Sequence, residues 1–406
     1  MSRPAVVAAL PALLVLLACR EGKPPALRAH PAPALSRAVP GTVTSAAADT
    51  TADAPPDTTA SSGSRLSMSG RAPDAPRDHD DAAPRPVAPA PGAGGTVAAP
   101  APPAGRGVAS TRAPNELGRV PILEYHLLGD RESRWMVERT HFRRQLELLY
   151  ERGYRPVSVA DLVDRKIALP AGQSPVVFTF DDAPPSQFGY IERNGALEVD
   201  PNSAVGIWLD FHRTHPDWAN KAVFCMLPGA AAGHAFFGDK GIDGQRTEWR
   251  QRKVRFLAEQ GFELCDHTLW HANLGKYPDA VVQEQIARGV LAIDSAVAGY
   301  RVRTFALPLG VWPKNRELAR AGEWRDPRSG RVVRYAFDAV LEVAGGPARS
   351  PYDPRFDAHR LPRMEVFGNE LEKALDALDR SGMRYVSDGN VATVARPGER
   401  ARLVSR

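Results

Sequence analysis

Two adjacent carboxylates and two histidines are the residues whose types and spacing could do chemistry in this chain. Asp181 and Asp182 follow the apolar run at residues 176–178, and paired carboxylates at the end of a buried strand are costly unless they bind or catalyse. His267 and His271 follow a second apolar run, and their spacing lets both imidazoles face the same way on a helical turn. One carboxylate and two histidines, with a second carboxylate alongside, can form a catalytic metal site that keeps a position open for water.

The elements that must position these residues alternate along the folded part of the chain. Apolar runs and helical periodicity predict strands at residues 120–125, 176–180, 222–227, 262–265, 304–307 and 384–387, helices at 141–152, 205–215, 248–260, 281–297 and 371–380, and a hairpin insertion at 326–343. This alternation favours an α/β fold with a parallel sheet, closed as a barrel. The C-terminal ends of barrel strands converge on one face, where active sites lie. We therefore expect His126, Asp181, Asp182, His267 and residues 308–310 to meet there.

Composition divides the rest of the chain. Residues 1–18 begin with a basic residue and continue with an apolar run too short to span a membrane, which predicts a secretory signal. The run ends at Cys19 in a pattern that looks like a bacterial lipobox, so we expect a lipoprotein anchored to the membrane through lipidated Cys19; an ordinary cleaved signal is the alternative. Residues 19–115, rich in Ala, Pro, Ser, Thr and Gly, predict a disordered tether. Residues 116–395 are expected to form the barrel domain and residues 396–406 a C-terminal tail.

Charge and cysteine content set two further limits. The pI near 9.2 and the formal charge of +5 are only mildly basic, and no Lys/Arg cluster with interleaved aromatics occurs, so we expect no nucleic-acid partner. Cys225 and Cys265 lie in strand-like apolar runs. Because side chains on neighbouring parallel strands rarely meet disulfide geometry, we expect buried free thiols, with a disulfide as the alternative.

The two motifs, in this order, resemble those of a known enzyme family. Residues 179–182 and 267–271 are similar to the first two motifs of the polysaccharide deacetylases, the NodB-homology group or carbohydrate esterase family four. The flanking residues are also similar, and the resemblance covers most of residues 119–390; it is strongest to extracellular members that act on poly-N-acetylglucosamine-type polymers. The resemblance implies a distorted (β/α) barrel of about seven parallel strands.

The resemblance also implies a role for each residue of the two motifs. Asp182, His267 and His271 would ligate a divalent metal ion, for which Zn²⁺ is expected, and Asp181 would be the general base that takes a proton from metal-bound water.

The other implied site residues bind substrate or stabilise charge. A backbone N–H near Leu309 would stabilise the oxyanion together with the metal. Trp270 and Trp312 lie near the motifs and could stack on sugar faces, with ordinary packing as the alternative for each.

The chain departs from the family pattern at two positions. Ala306 stands where many members carry an arginine that orients the base; Arg303, Arg360 or Arg363 could supply a guanidinium instead, although a surface arginine is the favoured reading of each. Members usually end with a late histidine that protonates the leaving group, whereas no histidine follows His359. His126, at the end of the first strand, is the substitute we expect, with a structural histidine at the barrel mouth as the alternative.

These expectations combine into one functional hypothesis. The chain would be a secreted, lipid-anchored deacetylase of the bacterial cell envelope that releases acetate from an N-acetylated polysaccharide. An O-acetyl esterase acting on a plant or bacterial polysaccharide is the near alternative, since the same site serves either bond. A catalytically degenerate carbohydrate-binding lipoprotein is the alternative from another class, because the missing arginine and histidine are what degeneration would produce.

Overall fold

The computed structural model describes residues 112–229 and 236–402. The predicted signal, the lipidated Cys19 and nearly all of the predicted tether lie outside the described residues. Within these ranges, no helix has both the length and the apolar character needed to cross a membrane.

Short strands and helices alternate through most of the described chain. The strands are β1 Ile122–Tyr125, β2 Leu127–Gly129, β3 Met136–Glu138, β4 Tyr154–Pro156, β5 Ser174–Phe180, β6 Tyr190–Arg193, β7 Ala196–Val199, β8 Val223–Met226, β9 Glu263–Asp266, β10 Thr304–Ala306, β11 Ala321–Arg325, β12 Val332–Ala336, β13 Ala339–Leu341, β14 Met364–Glu365, β15 Thr393–Arg396 and β16 Glu399–Arg402. The helices are α1 Arg139–Glu151, α2 Val159–Val163, α3 Ala204–Thr214, α4 Arg250–Glu259, α5 Asp279–Ala296 and α6 Glu370–Arg380.

A curled parallel sheet forms the centre of the fold. Seven strands run across it in the order β13-β10-β9-β8-β5-β1-β14, and β4 pairs with β5 beside this path. Every pairing within the sheet is parallel. The two edges of the sheet, β13 and the segment that leads into β14, approach each other at Leu361. The N–H of Leu361 donates to Val340 O at 2.9 Å, and its carbonyl accepts from Glu342 N at 2.8 Å. The prediction of a distorted (β/α) barrel of about seven parallel strands is confirmed.

Apolar side chains fill both faces of this sheet. One buried cluster lies between the strands and the helices, and α1 contributes Phe142, Leu146 and Leu149 to it from one face. A second, smaller cluster includes Ile122, Val177 and Ala306 and lies on the opposite face of the strands. A sheet buried on both faces gives the nearly continuous apolar runs that predicted strands in the sequence.

Two predicted elements differ from the structure. The hairpin is present as the antiparallel pair β11–β12, but β13, which falls inside the predicted insertion at 326–343, pairs in parallel with β10. The short apolar run of β13 therefore belongs to the barrel. Residues 384–387 do not form a strand; they make only isolated bridges, Arg119 with Arg384 and Asn115 with Val386.

The prediction of free thiols is wrong: Cys225 and Cys265 form a disulfide. The two residues stand directly opposite each other in the β8–β9 register, with their Cα atoms 4.2 Å apart and both side chains buried. The sequence pattern located both strands, but it carried no information about the register that makes the two sulfurs neighbours.

Candidate active site

Strand alternation sends the chemistry-bearing side chains to the inner face of the sheet. Successive side chains of a strand point to opposite faces, so Asp181, four residues after Val177, points to the same face as Val177. That face carries the second, smaller apolar cluster, which lies inside the barrel. His267 continues the series of Cys265 in the same way. Ladder-like backbone bonds extend to both residues, since Asp181 N donates to Tyr125 O at 2.9 Å and His267 N donates to Met226 O at 3.1 Å.

Asp182, His267 and His271 converge on a small space at the ends of β5 and β9. Asp182 Oδ1 lies 3.4 Å from His267 Nε2 and 3.6 Å from His271 Nε2. The three donor atoms lie within 4.8 Å of one another, so the residues could hold one metal ion. His267 is buried, whereas the side chains of Asp182 and His271 are 22% and 30% exposed, so the space is reached from solvent on their side.

The donor set fits a divalent cation. Among the described residues, Asp182 Oδ1 and His267 Nε2 are buried polar atoms that no hydrogen bond satisfies, which calls for a physical reason. His267 Nδ1 contacts Ala306 O at 2.9 Å, which orients Nε2 toward Asp182. This is the arrangement in which a backbone carbonyl fixes the tautomer of a metal-binding histidine. Two imidazoles and one carboxylate suit zinc and neighbouring transition metals.

The local backbone is held in an uncommon conformation around these residues. Asp182 has φ 75°, Thr268 has φ 67° and His271 has φ 62°. Such left-handed conformations are uncommon for residues other than glycine, Asn and Asp, cost on the order of 1–3 kcal/mol and cluster at functional sites. Thr268 Oγ1 accepts from the N–H of His271 at 3.1 Å, which stabilises the turn that brings the second imidazole back toward the first.

The electrostatics of the site follow from burial and from the paired carboxylates. Burial opposes the charged form of His267, but Asp181 and Asp182 outweigh it and raise the pKa of His267 to about 9. Burial and the neighbouring His267 lower the pKa of His271 to about 4. Burial opposes ionisation of Asp182, yet the nearby histidines hold the pKa of Asp182 below its ordinary value. The paired carboxylates therefore make this space favourable for a positive charge, which a cation bound by Asp182 and the two imidazoles would supply.

Arg363 holds the predicted general base, Asp181, through both of its oxygens. Arg363 Nη1 donates to Asp181 Oδ1 at 2.9 Å, and Nη2 donates to Oδ2 at 2.8 Å. Nη1 also donates to Thr179 Oγ1 at 3.1 Å, and Nε donates to Glu342 O at 2.8 Å. Both charged side chains are almost fully buried. Burial opposes ionisation of Asp181, but the Arg363 guanidinium outweighs it and lowers the pKa of the carboxyl.

The structure thus distinguishes the three arginines that could replace the arginine missing at Ala306. Arg303 pairs with Asp164 and Asp338, and Arg360 is a half-exposed side chain that pairs with Glu342. Only Arg363, just before β14, contacts Asp181 among these three. Reading it as a surface arginine is wrong because the segment between Leu361 and β14 runs along the barrel wall.

His126 lies next to the base, as expected from its position after β1. One of its ring nitrogens and one oxygen each of Asp181 and Glu124 lie within 4.8 Å of one another. Gln187 Nε2 donates to the backbone oxygens of His126 and Asp181, at 2.6 Å each, and so ties the two loops together. Burial lowers the pKa of His126, although Asp182 and Asp181 oppose the shift.

The other predicted site residues lie at the rim with different exposure. Trp270, next to the predicted ligand His271, is 40% exposed, and Leu309 is 58% exposed with φ 57° in the turn after β10. Trp312 is partly buried against the core, and its Nε1 donates to Glu342 Oε1 at 3.1 Å. Trp270 and Leu309 thus present free surface to a substrate, and Trp312 presents less.

Glu124 is a site residue that the sequence analysis did not assign. It is 4% exposed and lies on the inner face of β1, beside Arg363. A signal was available, because Glu124 is a lone carboxylate inside an otherwise apolar strand, two residues before His126 and therefore on the same face.

Comparison with known proteins agrees with the motif resemblance. A family model described as polysaccharide deacetylase matches residues 218–322, which include His267 and His271. This match confirms the resemblance inferred from the sequence. No curated protein matches the chain.

Three solved structures are among those to which the chain is similar. A deacetylase of Streptococcus pyogenes in complex with acetate is 17% identical, covering 63% of this chain and 97% of its own, with a TM-score of 0.44. A polysaccharide deacetylase of Bacillus cereus is 15% identical, covering 64% and 68%, with a TM-score of 0.45. IcaB of Ammonifex degensii is 18% identical, covering 64% and 97%, with a TM-score of 0.43.

Proposed function

We propose that this chain is a metal-dependent deacetylase that hydrolyses the acetamide of an N-acetylated polysaccharide. The observation that carries the proposal is that two groups of residues lie side by side. The donor atoms of Asp182, His267 and His271 converge, and the carboxylate of Asp181, held by Arg363, lies alongside them. The match to the polysaccharide deacetylase family model supports the reaction class.

The chemistry divides between the metal and the residues around it. A divalent cation held by Asp182, His267 and His271, for which we propose Zn²⁺, would lower the pKa of a water and polarise the acetamide carbonyl. Asp181 is placed to accept a proton from the attacking water, because its lowered pKa keeps the carboxyl ionised at neutral pH and Arg363 fixes its orientation. The backbone N–H of Leu309, at the exposed turn after β10, is the proposed donor to the developing oxyanion.

His126 is the proposed donor to the leaving amine. Hydrolysis adds the oxygen of water to the carbonyl carbon, breaks the C–N bond and transfers protons to the amine nitrogen, which gives acetate and a glucosamine unit. The amine requires a proton to leave, and the ring of His126 adjoins Asp181 on the inner face of the barrel. Trp270, exposed beside His271, is proposed to stack on a sugar ring.

The Arg363 contact weighs against a degenerate binding protein. A buried ion pair often contributes little to stability. A protein that had lost catalysis would therefore have no need to keep the buried pair of Arg363 and Asp181. The cell-envelope location and the anchor at Cys19 remain part of the proposal, supported by the N-terminal sequence. Fractionation of cells expressing the full chain, compared with Cys19→Ser, tests them; wild-type protein found only in the soluble extract would contradict the anchor.

Acetate release tests the proposed activity most directly. The full chain, stripped with chelator and then given one divalent metal at a time, is assayed on chitin oligomers, poly-N-acetylglucosamine, peptidoglycan and acetylxylan. We expect activity on an N-acetylated polymer that returns with metal. Release from acetylxylan alone would identify an O-acetyl esterase, and no release from any polymer, with metal bound, would favour a carbohydrate-binding role.

A further inference from the structure

A second carboxylate shares the guanidinium that holds the proposed base. Glu124 follows Ile122 on the inner face of β1 and lies opposite Thr179 of β5 and Glu365 of β14 in the register. Its Oε1 is 3.0 Å from Arg363 Nη2, the nitrogen that donates to Asp181 Oδ2 at 2.8 Å. One cation therefore stands between two carboxyl groups.

Neither oxygen of Glu124 accepts a hydrogen bond from any described residue, although both are buried. The Nη2 donor is directed to Asp181, and the nearest other polar group is His126 Nε2, 3.8 Å from Glu124 Oε1. A buried carboxylate with unsatisfied oxygens is costly, whereas a neutral carboxylic acid is much less so. Arg363 Nη2 is at ion-pair distance from Glu124, but the guanidinium hydrogen-bonds both oxygens of Asp181, so two buried carboxyl groups share one positive charge. This sharing favours a protonated Glu124.

The charges around Glu124 lead to the same result. Arg363 and His267 favour its ionised form, Asp181 and Glu365 disfavour it, and His126 is its near neighbour. Burial is the largest influence, and the pKa of Glu124 is raised to about 8. The positive charge of Arg363 then balances the negative charge of Asp181. The cluster of Arg363, Asp181 and Glu124 is therefore neutral as long as Glu124 keeps its proton.

A second metal ion does not fit this cluster. Donor atoms of Glu124, His126 and Asp181 lie within 4.8 Å of one another. Both oxygens of Asp181 already accept from Arg363, however, and the guanidinium adjoins Glu124 as well. A cation placed among these donors would have to stand next to a buried positive charge.

We propose that Glu124 is a positioning residue of the active site: its neutral carboxylic acid leaves the Arg363 guanidinium to Asp181, and its ionisation switches the site off. The inference rests on the proposed deacetylase function. Ionised Glu124 competes with Asp181 for the positive charge of Arg363. It also adds a negative charge beside the place where the transition state develops one, which raises the barrier in a buried site.

Infrared spectroscopy tests the protonation state without any turnover. Difference spectra of the full chain across pH 6–10 should show the C=O stretch of a carboxylic acid disappearing with a midpoint near 8. Glu263 and Asp266 are also buried carboxyls with raised pKa values, so the band is assigned by its absence in Glu124→Gln. The proposal would be overturned if Glu124→Gln removed no titrating band, or if the band that it removes were lost below about pH 6 in wild type.

The pH profile of kcat tests the consequence. Wild type should lose activity with an alkaline midpoint near 8. Glu124→Gln should keep a pH-independent plateau through this range, with a kcat lowered by about 10–100-fold at most. If Glu124→Gln does not fold, Glu124→Met, also neutral and of similar length, should show the same plateau. An unchanged alkaline limb in the folded neutral variant would overturn the proposal, as would a complete loss of activity with metal still bound.

Glu365→Gln is the matched control. Glu365 lies opposite Glu124 in the β1–β14 pairing and forms an ion pair with Arg134 near the surface at 2.6 Å. Its removal also deletes one nearby negative charge, so the alkaline limb should remain in this variant; its loss here would overturn the assignment to Glu124. If the infrared band titrates as expected while wild type releases no acetate at any pH, the proposed function fails and the protonation of Glu124 stands.

Discussion

Replacing Arg363 by methionine should free the Asp181 carboxyl from its fixed orientation and raise its pKa. The guanidinium makes two of its bonds, at 2.9 and 2.8 Å, to the two oxygens of Asp181, and both side chains are almost fully buried. Removing one partner of a buried ion pair costs about 3–5 kcal/mol, because it leaves an uncompensated buried charge. Glu124 is neutral at pH 7 if its pKa is about 8, so the uncompensated charge in Arg363→Met is that of Asp181.

Asp181 can relieve this cost by binding a proton. Each pKa unit corresponds to about 1.4 kcal/mol, so a penalty of about 3–5 kcal/mol corresponds to a rise of roughly two to four units in the pKa of its carboxyl. A protonated carboxyl cannot accept the proton of water, and loss of a general base costs about 10²–10⁴-fold. Because the pKa of Asp181 starts below its ordinary value, a rise of this size brings it toward neutral pH and protonates only part of the carboxyl at pH 7. We therefore expect kcat at pH 7 to fall by less than that factor in Arg363→Met, with the acid limb of the kcat profile moved up by roughly two to four pH units and kcat recovering as the pH rises.

Acetate release over a range of pH, metal content and denaturant unfolding measure this effect. Arg360→Met is the matched control, since Arg360 lies three residues earlier, is 54% exposed and pairs with Glu342 at 3.2 Å; its kcat and stability should match wild type. Arg363→Lys, which keeps a charge but not the two-pronged contact, should fall between them. Near-wild-type kcat with an unchanged pH profile in folded Arg363→Met would refute the reasoning.

Four further substitutions separate the remaining roles. Asp182→Ala and His267→Ala should each lose both bound metal and activity, because three protein ligands leave none to spare; stoichiometric metal in both purified variants would disprove the site. Asp181→Asn should keep its metal and lose about 10²–10⁴-fold in kcat at every pH, since an amide cannot take a proton; near-wild-type turnover would mean that another group activates the water. His126→Ala should cripple amide substrates far more than nitrophenyl acetate, whose leaving group departs without a proton, with metal content unchanged. Equal losses on the two substrates would remove His126 from the proposed mechanism.

The sequence located the predicted ligand motifs because those residues come at the ends of two short, buried strands. β5 and β9 are both buried along their whole length. β5 contains the apolar run at residues 176–178, and in the sequence Phe262, Leu264 and Cys265 mark the position of β9. Parallel strands bring such ends to one edge, which is why residues 85 positions apart (267 − 182 = 85) could be expected to meet. The positions of Asp182 and His267 were thus predictable from pattern and topology alone.

What the sequence could not supply was register and the course of irregular segments. The disulfide depends on Cys225 standing opposite Cys265 rather than one residue away, and a shift of one residue would send the two side chains to opposite faces. Arg363 depends on β14, a strand of two residues, Met364–Glu365, that follows a long irregular segment. No periodicity marks so short a strand, so nothing in the pattern distinguished Arg363 from Arg360.

The contact between Arg363 and Asp181 also changes what the alanine at position 306 means. The chemical requirement is a buried cation that hydrogen-bonds both oxygens of Asp181. In a barrel, any strand whose end reaches the inner face can provide this cation. Ala306 is fully buried and leaves room on β10, and its carbonyl is used instead to orient the ligand His267. Absence of a motif residue is therefore weak evidence for lost function. The stronger evidence is whether the charge that the residue would have supplied is present, and here it reaches the base from the opposite end of the sheet order, beside β14.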